Sequence, residues 1–393
     1  MSRGITGCRL AIVADDLTGA LDATAPFAAR GADARVVISL DVLDDALANW
    51  EDAWPDVIAV NTDSRHRGAA EAAERVTDAT RRLARTNPGT WFKKIDSTLR
   101  GQVVAECIAM REATGQALLL APAVPAQGRI VRDAEVWVEG VRLSDSPYQG
   151  DERSAPLGGP LDRAFTSSGI KLDHYAGGAD ALPPGDAVAD AESDLALTRL
   201  YDATLIAGIP RLMVGAAGLA TAIAQRCFGH LHASYRSLAS VDAVIYAIGS
   251  RSRRAAEQLA GLRCEAPLMP VIDALSPPNA IPTDDAVLIV PGTVEPVGAE
   301  AVAEATAESV VRVMQGWPSG RETLLFLTGG DIAMATLTRL GSTSINVETE
   351  WAPGVALGCL DEVSERRVMT KAGGFGEPDL LQRIQQSIHP SSS

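Results

Sequence analysis

The sequence predicts an α/β protein built as two α/β domains with largely parallel sheets and an active site in the cleft between them. Short apolar runs alternate with helical patterns along most of the chain, the alternation restarts after residue 240, and polar or glycine-rich turns follow the apolar runs. At 393 residues the chain also exceeds what one hydrophobic core usually supports. The expected division places one domain over residues 1–232 and a second over 233–393, with residues 229–240, weak in apolar periodicity, as the linker and hinge.

In the first half, residues 10–14, 34–40, 57–61, 90–95 and 117–121 read as strands, and 17–30, 68–85 and 101–113 as helices. A hairpin is expected where 136–138 and 141–143 flank Gly140. Residues 144–185 accumulate Pro and Gly and read as irregular structure with one helix. A helix over 191–207, a strand over 212–214 and a helix over 219–227 restore the pattern. In the second half, strands 243–248, 287–290 and 324–327 alternate with helices 252–262, 300–314 and 332–340. Strands near 345–348 and 368–370 and a helix from Asp379 follow, and residues 390–393 read as a disordered tail.

Composition bounds the function. With 46% hydrophobic and 22% charged residues the chain is globular, and no apolar run reaches the length of a membrane span. The apolar start at 10–14 meets Asp15 and Asp16 at once, which excludes a signal-peptide core, so the expected location is cytoplasmic. Cys8, Cys107, Cys227, Cys264 and Cys359 are scattered and form no Cys-x-x-Cys pair, against both a disulfide framework and a zinc site. A net charge of −15 argues against nucleic acid and membrane partners, whose binding depends on neutralising many phosphates. Positive charge instead forms small islands: Arg65-His66-Arg67, Lys93 to Arg100, Arg251-Ser252-Arg253-Arg254, and Lys371 in a glycine-rich segment. Islands on an acidic protein suit small anionic ligands.

The densest island, Lys93-Lys94-Ile95-Asp96-Ser97-Thr98-Leu99-Arg100-Gly101, follows an expected strand and holds two of the four lysines in the chain. A compact ammonium on a flexible stem suits a phosphate or carboxylate oxygen reached as a point charge, whereas Arg binds as a planar fork. Ligands of doubly wound sheets sit beyond the carboxyl ends of the strands. There lie Asp15-Asp16-Leu17-Thr18-Gly19, Thr62-Asp63-Ser64-Arg65 and the lysine island in the first half, and Gly249-Ser250 and Thr328-Gly329-Gly330-Asp331 in the second. Gly329-Gly330 at a helix start lets backbone amides approach an anion, aided by the helix dipole, and Lys371-Ala372-Gly373-Gly374-Phe375-Gly376 repeats the theme with an ammonium. Neither a P-loop nor a Gly-x-Gly-x-x-Gly fingerprint is present, so a nucleotide site here is of another type.

On these motifs, together with Ala121-Pro122-Ala123-Val124-Pro125-Ala126-Gln127-Gly128-Arg129, the chain resembles the four-carbon acid sugar kinases, which phosphorylate tetronates such as threonate, erythronate or 3-oxotetronate using ATP. The resemblance runs over nearly the whole chain. It implies an N-terminal domain for the acid sugar and a C-terminal domain for ATP. It makes Asp15, Arg65, Lys94, Asp96 and Ser97 acid-sugar contacts, with Asp16, Ile95 and Arg100 beside them. It makes Ser250, Gly329, Gly330, Asp331, Gly373 and Gly374 nucleotide contacts, with Ile332, Lys371, Phe375 and Gly376 completing that set. Where the family commonly has Thr after Gly-Gly-Asp this chain has Ile332, so one hydroxyl contact is missing. The form of the lysine motif is closer to the threonate and erythronate kinases than to the 3-oxotetronate kinases.

Phosphoryl transfer requires positioning and charge neutralisation more than covalent catalysis. Arg65 is expected to take the substrate carboxylate as a bidentate pair, and Lys94 substrate or transferred phosphoryl oxygens. Asp15, Asp16 or Asp96 would orient the sugar hydroxyls, one of them acting as base, with Asp331 a competitor from the nucleotide side. The catalytic set is thus Asp15, Lys94 and Asp96, the cofactors ATP and Mg2+ with no metal ligands identified, and the assembly expected is a homodimer. A haloacid-dehalogenase-type phosphatase would need a second Asp where Leu17 stands, a dinucleotide oxidoreductase would need the absent glycine fingerprint, and a non-catalytic acid-sugar sensor would not turn over ATP.

Overall fold

A computed structural model of the chain describes residues 7–150, 154–178, 181–232, 237–250, 252–292, 297–371 and 374–388. Gly373, Arg251, residues 233–236 of the expected linker and the expected tail at 390–393 lie outside the described residues. The chain divides into two compact units, Met1–His232 and Ala233–Ser393.

The first unit runs β1 (Leu10–Ala14), α1 (Leu17–Ala28), β2 (Ala34–Val37), α2 (Leu43–Asn49), β3 (Val57–Asn61), α3 (Ala69–Leu83), β4 (Thr90–Lys94), α4 (Val103–Thr114), β5 (Ala117–Ala121), β6 (Arg129–Arg132), β7 (Glu135–Val138), β8 (Val141–Arg142), α5 (Leu161–Thr166), β9 (Asp173–Tyr175), β10 (Ala187–Ala189), α6 (Asp194–Ala207), β11 (Arg211–Gly215) and α7 (Ala217–Phe228). Its main strands lie in the order β2-β3-β1-β4-β11-β5-β10-β9, all parallel. Helix α1 packs against α7, and α3 against α4. With helices covering it, β1 is buried at every position, which is why it reads as an unbroken apolar run rather than an alternating one.

Residues 144–185, expected to hold one helix and otherwise irregular chain, supply strand β9 as well as α5, and β6 adds a third strand to the expected hairpin. The seven-residue α2 and the three-residue β9 and β10 are too short to show a period. The register then sets the site: Ala14 pairs with Asn61 and Lys94, and Lys94 with Gly215, so the chain leaves β1, β3 and β4 at one level of the carboxyl rim.

The second unit runs β12 (Ala243–Ile248), α8 (Arg253–Glu265), β13 (Val271–Asp273), β14 (Ala286–Val290), α9 (Ala299–Gly316), β15 (Thr323–Thr328), α10 (Gly330–Arg339), β16 (Ser344–Ala352), β17 (Val355–Leu360), β18 (Val363–Lys371) and α11 (Leu380–Ile388). Strands β13-β14-β12-β15-β18 are parallel, whereas β18-β17-β16 form an antiparallel meander. The expected strands near 345–348 and 368–370 are β16 and β18, and β17 between them, which was not expected, joins them into the meander. The β17–β18 turn, Asp361 and Glu362, has φ of +50° and +63°, the left-handed pair that two-residue hairpins require. Tyr246, Phe326, Leu357 and Met369 fill the core beneath α11, and Tyr246 Oη donates to Gln385 Oε1 at 2.9 Å. Leu238, inside the expected linker, is fully buried in this core. Ile248, Thr328 and Lys371 share one register level at the rim.

Candidate functional site

The first rim is a charged cluster built from three strand ends. Asp16 caps α1, accepting from the Gly19 amide at 2.7 Å and the Thr18 hydroxyl at 2.7 Å. Arg65 spans both aspartates: its Nε and Nη2 donate to Asp15 at 2.6 and 3.0 Å, and its Nη1 and Nη2 to Asp16 at 2.6 and 2.8 Å. The fork expected to grasp a substrate carboxylate is therefore filled by two protein carboxylates. Burial would raise the Asp15 pKa, but Arg65, Lys93 and Lys94 outweigh it and hold the group below the usual carboxylate range. His66 and Arg67 are exposed, with Arg67 paired to Asp63 and Glu71, so of the two arginines in that island it is Arg65 that serves the cluster.

The turn after β4 is the second component. Asp96 accepts from Arg100 Nε at 2.7 Å and from the Thr98 hydroxyl. Burial opposes its ionisation, yet Arg100 and Arg65 keep it far below the usual carboxylate range. Leu99, fully buried, takes φ of +57°, and Asp63 takes φ of +47° in the neighbouring turn. Such backbone costs of order 1–3 kcal/mol for a non-glycine residue and persists only where surrounding structure enforces it. Ser97 is buried beside Asp96, and Ile95 contributes through its backbone, its amide donating to Gly215 O at 3.0 Å and its carbonyl accepting from Lys94 Nζ at 3.0 Å.

The two lysines of the island part company because successive side chains of a strand point to opposite faces. Lys93, fully buried, forms a 2.8 Å ion pair with Glu106 of α4 and donates to Lys94 O. Glu106 accepts from Ser64 Oγ, which meets Thr62 Oγ1, both at 2.8 Å. Burial would lower the Lys93 pKa, and the Glu106 carboxylate reverses that and raises it. Lys93 thus supports the site from beneath and does not face it, a correction to the reading of one anion site with two ammoniums. Lys94 comes over α1, its Nζ 3.2 Å from where a Cβ on Gly19 would stand, so a larger residue there would crowd the ammonium.

Two further acids of the site, Glu106 and Asp22, belong to none of the motifs in the sequence. Asp22 sits on α1 three residues past Gly19, and that i, i+3 spacing was the available signal. Burial raises its pKa, Asp16 and Asp96 add to the rise, and Lys94 and Arg129 oppose it.

The rim of the second unit is built differently. Gly249 follows β12, and a Cβ there would come within 1.8 Å of Ile332 Cδ1, so the isoleucine packs directly on that backbone. Ser250 bonds to Ser252, the cap of α8. Gly329, φ +98°, precedes α10, whose first turn carries Asp331. The buried Thr328 and Thr336 hydroxyls have no hydrogen-bond partner among the described residues. Lys371 is buried at the end of β18, and burial, with Arg254 adding, lowers its pKa to about 8. Gly374 is exposed with open space around its Cβ direction. Phe375 packs against the β16–β17 turn at Gly354, and Gly376, φ +81°, lies against Leu380 and Gln258. Packing thus accounts for Phe375 and Gly376. Among the described residues no group of three or more His, Cys, Asp or Glu side chains could hold a metal ion, and no helix is long and apolar enough to cross a membrane.

Residues 10–223 match the model of the sugar-binding N-terminal domain, and residues 245–381 that of the nucleotide-binding C-terminal domain. A D-threonate kinase of Bordetella bronchiseptica is 30% identical over 97% of this chain and 98% of its own length. The chain belongs to the four-carbon acid sugar kinase family. A second D-threonate kinase, from Cupriavidus necator, is 30% identical over 97% of this chain and 98% of its own. A 3-oxo-tetronate kinase of Methylobacterium radiotolerans is 27% identical over 95% and 98%. Among solved structures, a Haemophilus influenzae protein of the DUF1537 family shares the fold with a TM-score of 0.71 at 19% identity, covering 95% of this chain and 99% of that one. A DUF1537 protein of Bordetella bronchiseptica, a domain-swapped dimer with bound citrate, has a TM-score of 0.50 at 28% identity, covering 97% and 98%. Within this family, the charged rim lies in the stretch matching the sugar-binding model and the glycine rim in the stretch matching the nucleotide-binding model.

Proposed function

We propose that this protein transfers the γ-phosphoryl group of ATP to a terminal hydroxyl of a four-carbon sugar acid, D-threonate or D-erythronate, with Mg2+. The observation that carries the reading is the buried Lys94 ammonium, with one of its three N–H groups on Ile95 O, set over α1 beside the Asp15–Arg65–Asp16 cluster. A preorganised cation next to carboxylates that accept hydroxyl hydrogens suits a polyhydroxy acid gaining a phosphoryl group.

In this reading Lys94 contacts substrate and transferred phosphoryl oxygens. Asp15 and Asp16 orient the sugar hydroxyls through lone pairs that Arg65 leaves open, and Arg65 acts on the substrate through the aspartates it holds. Ser250, Gly329, Gly330, Asp331, Lys371, Gly373 and Gly374 form the nucleotide side, where amides at the start of α10 meet phosphates. Mg2+ arrives on the nucleotide phosphates, which agrees with its habit of using one or two carboxylates rather than a protein cage. It would supply charge neutralisation there, and Asp331, in the first turn of α10, is the carboxylate of the nucleotide set that would hold it. Transfer to the sugar acid requires that water be excluded, or ATP would be hydrolysed. The domain-swapped Bordetella relative supports a homodimer as the assembly.

A coupled ADP-release assay over D-threonate, D-erythronate, L-threonate and 3-oxotetronates tests the reaction. Release with D-threonate or D-erythronate is the expected result. Release confined to a 3-oxotetronate would move the substrate to the class named for the Methylobacterium relative, and no acid-dependent release would refute kinase activity.

A further inference from the structure

Among the described residues, one carboxylate of the charged rim, Asp22, has no hydrogen-bond or ion-pair partner. Asp15 and Asp16 are tied to Arg65, and Asp96 to Arg100 and Thr98. Their cationic partners hold Asp15 and Asp96 below the usual carboxylate range, which makes these two poor proton acceptors. Asp22 makes no hydrogen bond or ion pair with another described residue and keeps partial access to solvent. It lies on the α1 face that carries Gly19, where the Lys94 ammonium comes within 3.2 Å of the position a Cβ would take. The charged groups acting on it are Lys94 from β4, Asp16 from the start of α1, Asp96 from the turn after β4, and Arg129 from β6. An aspartate inside a helix, facing two other acids, is unfavourable for folding alone.

We infer that Asp22 is the general base of the phosphoryl transfer, taking the proton of the attacking hydroxyl, an assignment that rests on the kinase reading above. The hydroxyl oxygen bonds to the γ-phosphorus as its proton passes to an Asp22 carboxylate oxygen. The bond from that phosphorus to the β–γ bridging oxygen breaks, and ADP leaves with the electron pair. Lys94, near both groups, offsets the charge that grows on the oxygen. Burial, reinforced by Asp16 and Asp96, makes Asp22 a stronger base than a free aspartate.

The test compares wild type, Asp22→Asn and Asp22→Glu in kcat and KM across the acid and neutral range with D-threonate or D-erythronate. Calorimetry of the same acid and thermal unfolding are run alongside. Asp22→Asn should lower kcat about 10²–10⁴-fold and abolish the acid limb of the kcat profile, while acid-sugar affinity stays within about threefold. Asp22→Glu should keep an acid limb at a displaced pH. A kcat within about fivefold of wild type in Asp22→Asn, or a loss confined to KM, overturns the assignment. Should Asp22→Asn fail to fold, Asp22→Glu decides, and an unmoved acid limb overturns it. A wild-type chain that releases no ADP with any four-carbon acid refutes the kinase reading and this assignment together, whereas an active wild type with an active Asp22→Asn refutes this assignment alone.

Discussion

The two units present similar strand-end rims and equip them in opposite ways. The first crowds Asp15, Asp16, Arg65, Lys94, Asp96 and Arg100 into one cross-linked cluster and supports it from below with Lys93 and Glu106. The second offers Gly249, Gly329 and Gly374, one buried lysine and an aliphatic side chain, Ile332, packed on Gly249. The contrast fits the two proposed ligands. A small acid with several hydroxyls must be held in one orientation, which takes fixed side-chain partners, each costly to bury unless paired. A triphosphate presents many equivalent oxygens, which backbone amides and a helix dipole can meet without side chains.

The largest expected effect breaks the first rim from below. Lys93→Met leaves Glu106 buried without its cation and should destabilise the protein by roughly 3–5 kcal/mol. Adding Glu106→Leu should restore most of that loss, as read by denaturant unfolding. Equal stability of Lys93→Met and wild type would mean that the pair is not part of the scaffold.

Next come the side chains of that rim. Lys94→Ala should lower kcat about 10²–10³-fold, the cost of losing one preorganised donor. Arg65→Ala frees Asp15 and Asp16 from their shared partner, so kcat and thermal stability should both fall. A rise in acid-sugar KM alone, with kcat and stability intact, would restore Arg65 to the substrate carboxylate.

On the glycine rim, Gly374→Val has open space around it and should leave stability unchanged while weakening ATP binding on the order of tenfold, about 1.4 kcal/mol. Gly249→Val collides with Ile332 and should cost about 1–3 kcal/mol of stability whatever the ligand. Calorimetry and melting on both variants separate a ligand contact from a packing glycine. Unchanged ATP affinity in Gly374→Val would make it a turn residue only.

The smallest effect concerns Lys371, whose pKa burial lowers to about 8. Lys371 is charged below that pH and neutral above it. The ATP KM should therefore rise about fivefold as pH climbs past 8, since a charged donor is worth about 1 kcal/mol more than a neutral one. The rise should vanish in Lys371→Met. A flat profile in wild type would remove Lys371 from the phosphate contacts.

The first unit's parallel sheet, its strand-end turns and the identity of the charged groups were legible in the sequence, because buried parallel strands are unbroken apolar runs and their polar ends stand out. The antiparallel β16-β17-β18 meander was only partly legible. Strand β17, buried along its whole length, has neither an alternating pattern nor a helix after it to mark it as a separate strand. The short α2, β9, β10 and β13 carry too few residues to show a period. Residue chemistry was thus determined locally, but pairing was not. That Lys93 turns to Glu106 while Lys94 turns to α1 follows from strand alternation and from which helix covers which face. That Arg65 closes on Asp15 and Asp16, 50 and 49 residues away, follows from the register that brings β1 and β3 to one rim. Charge partners are chosen by distance in space, and at these separations only the folded sheet sets that distance.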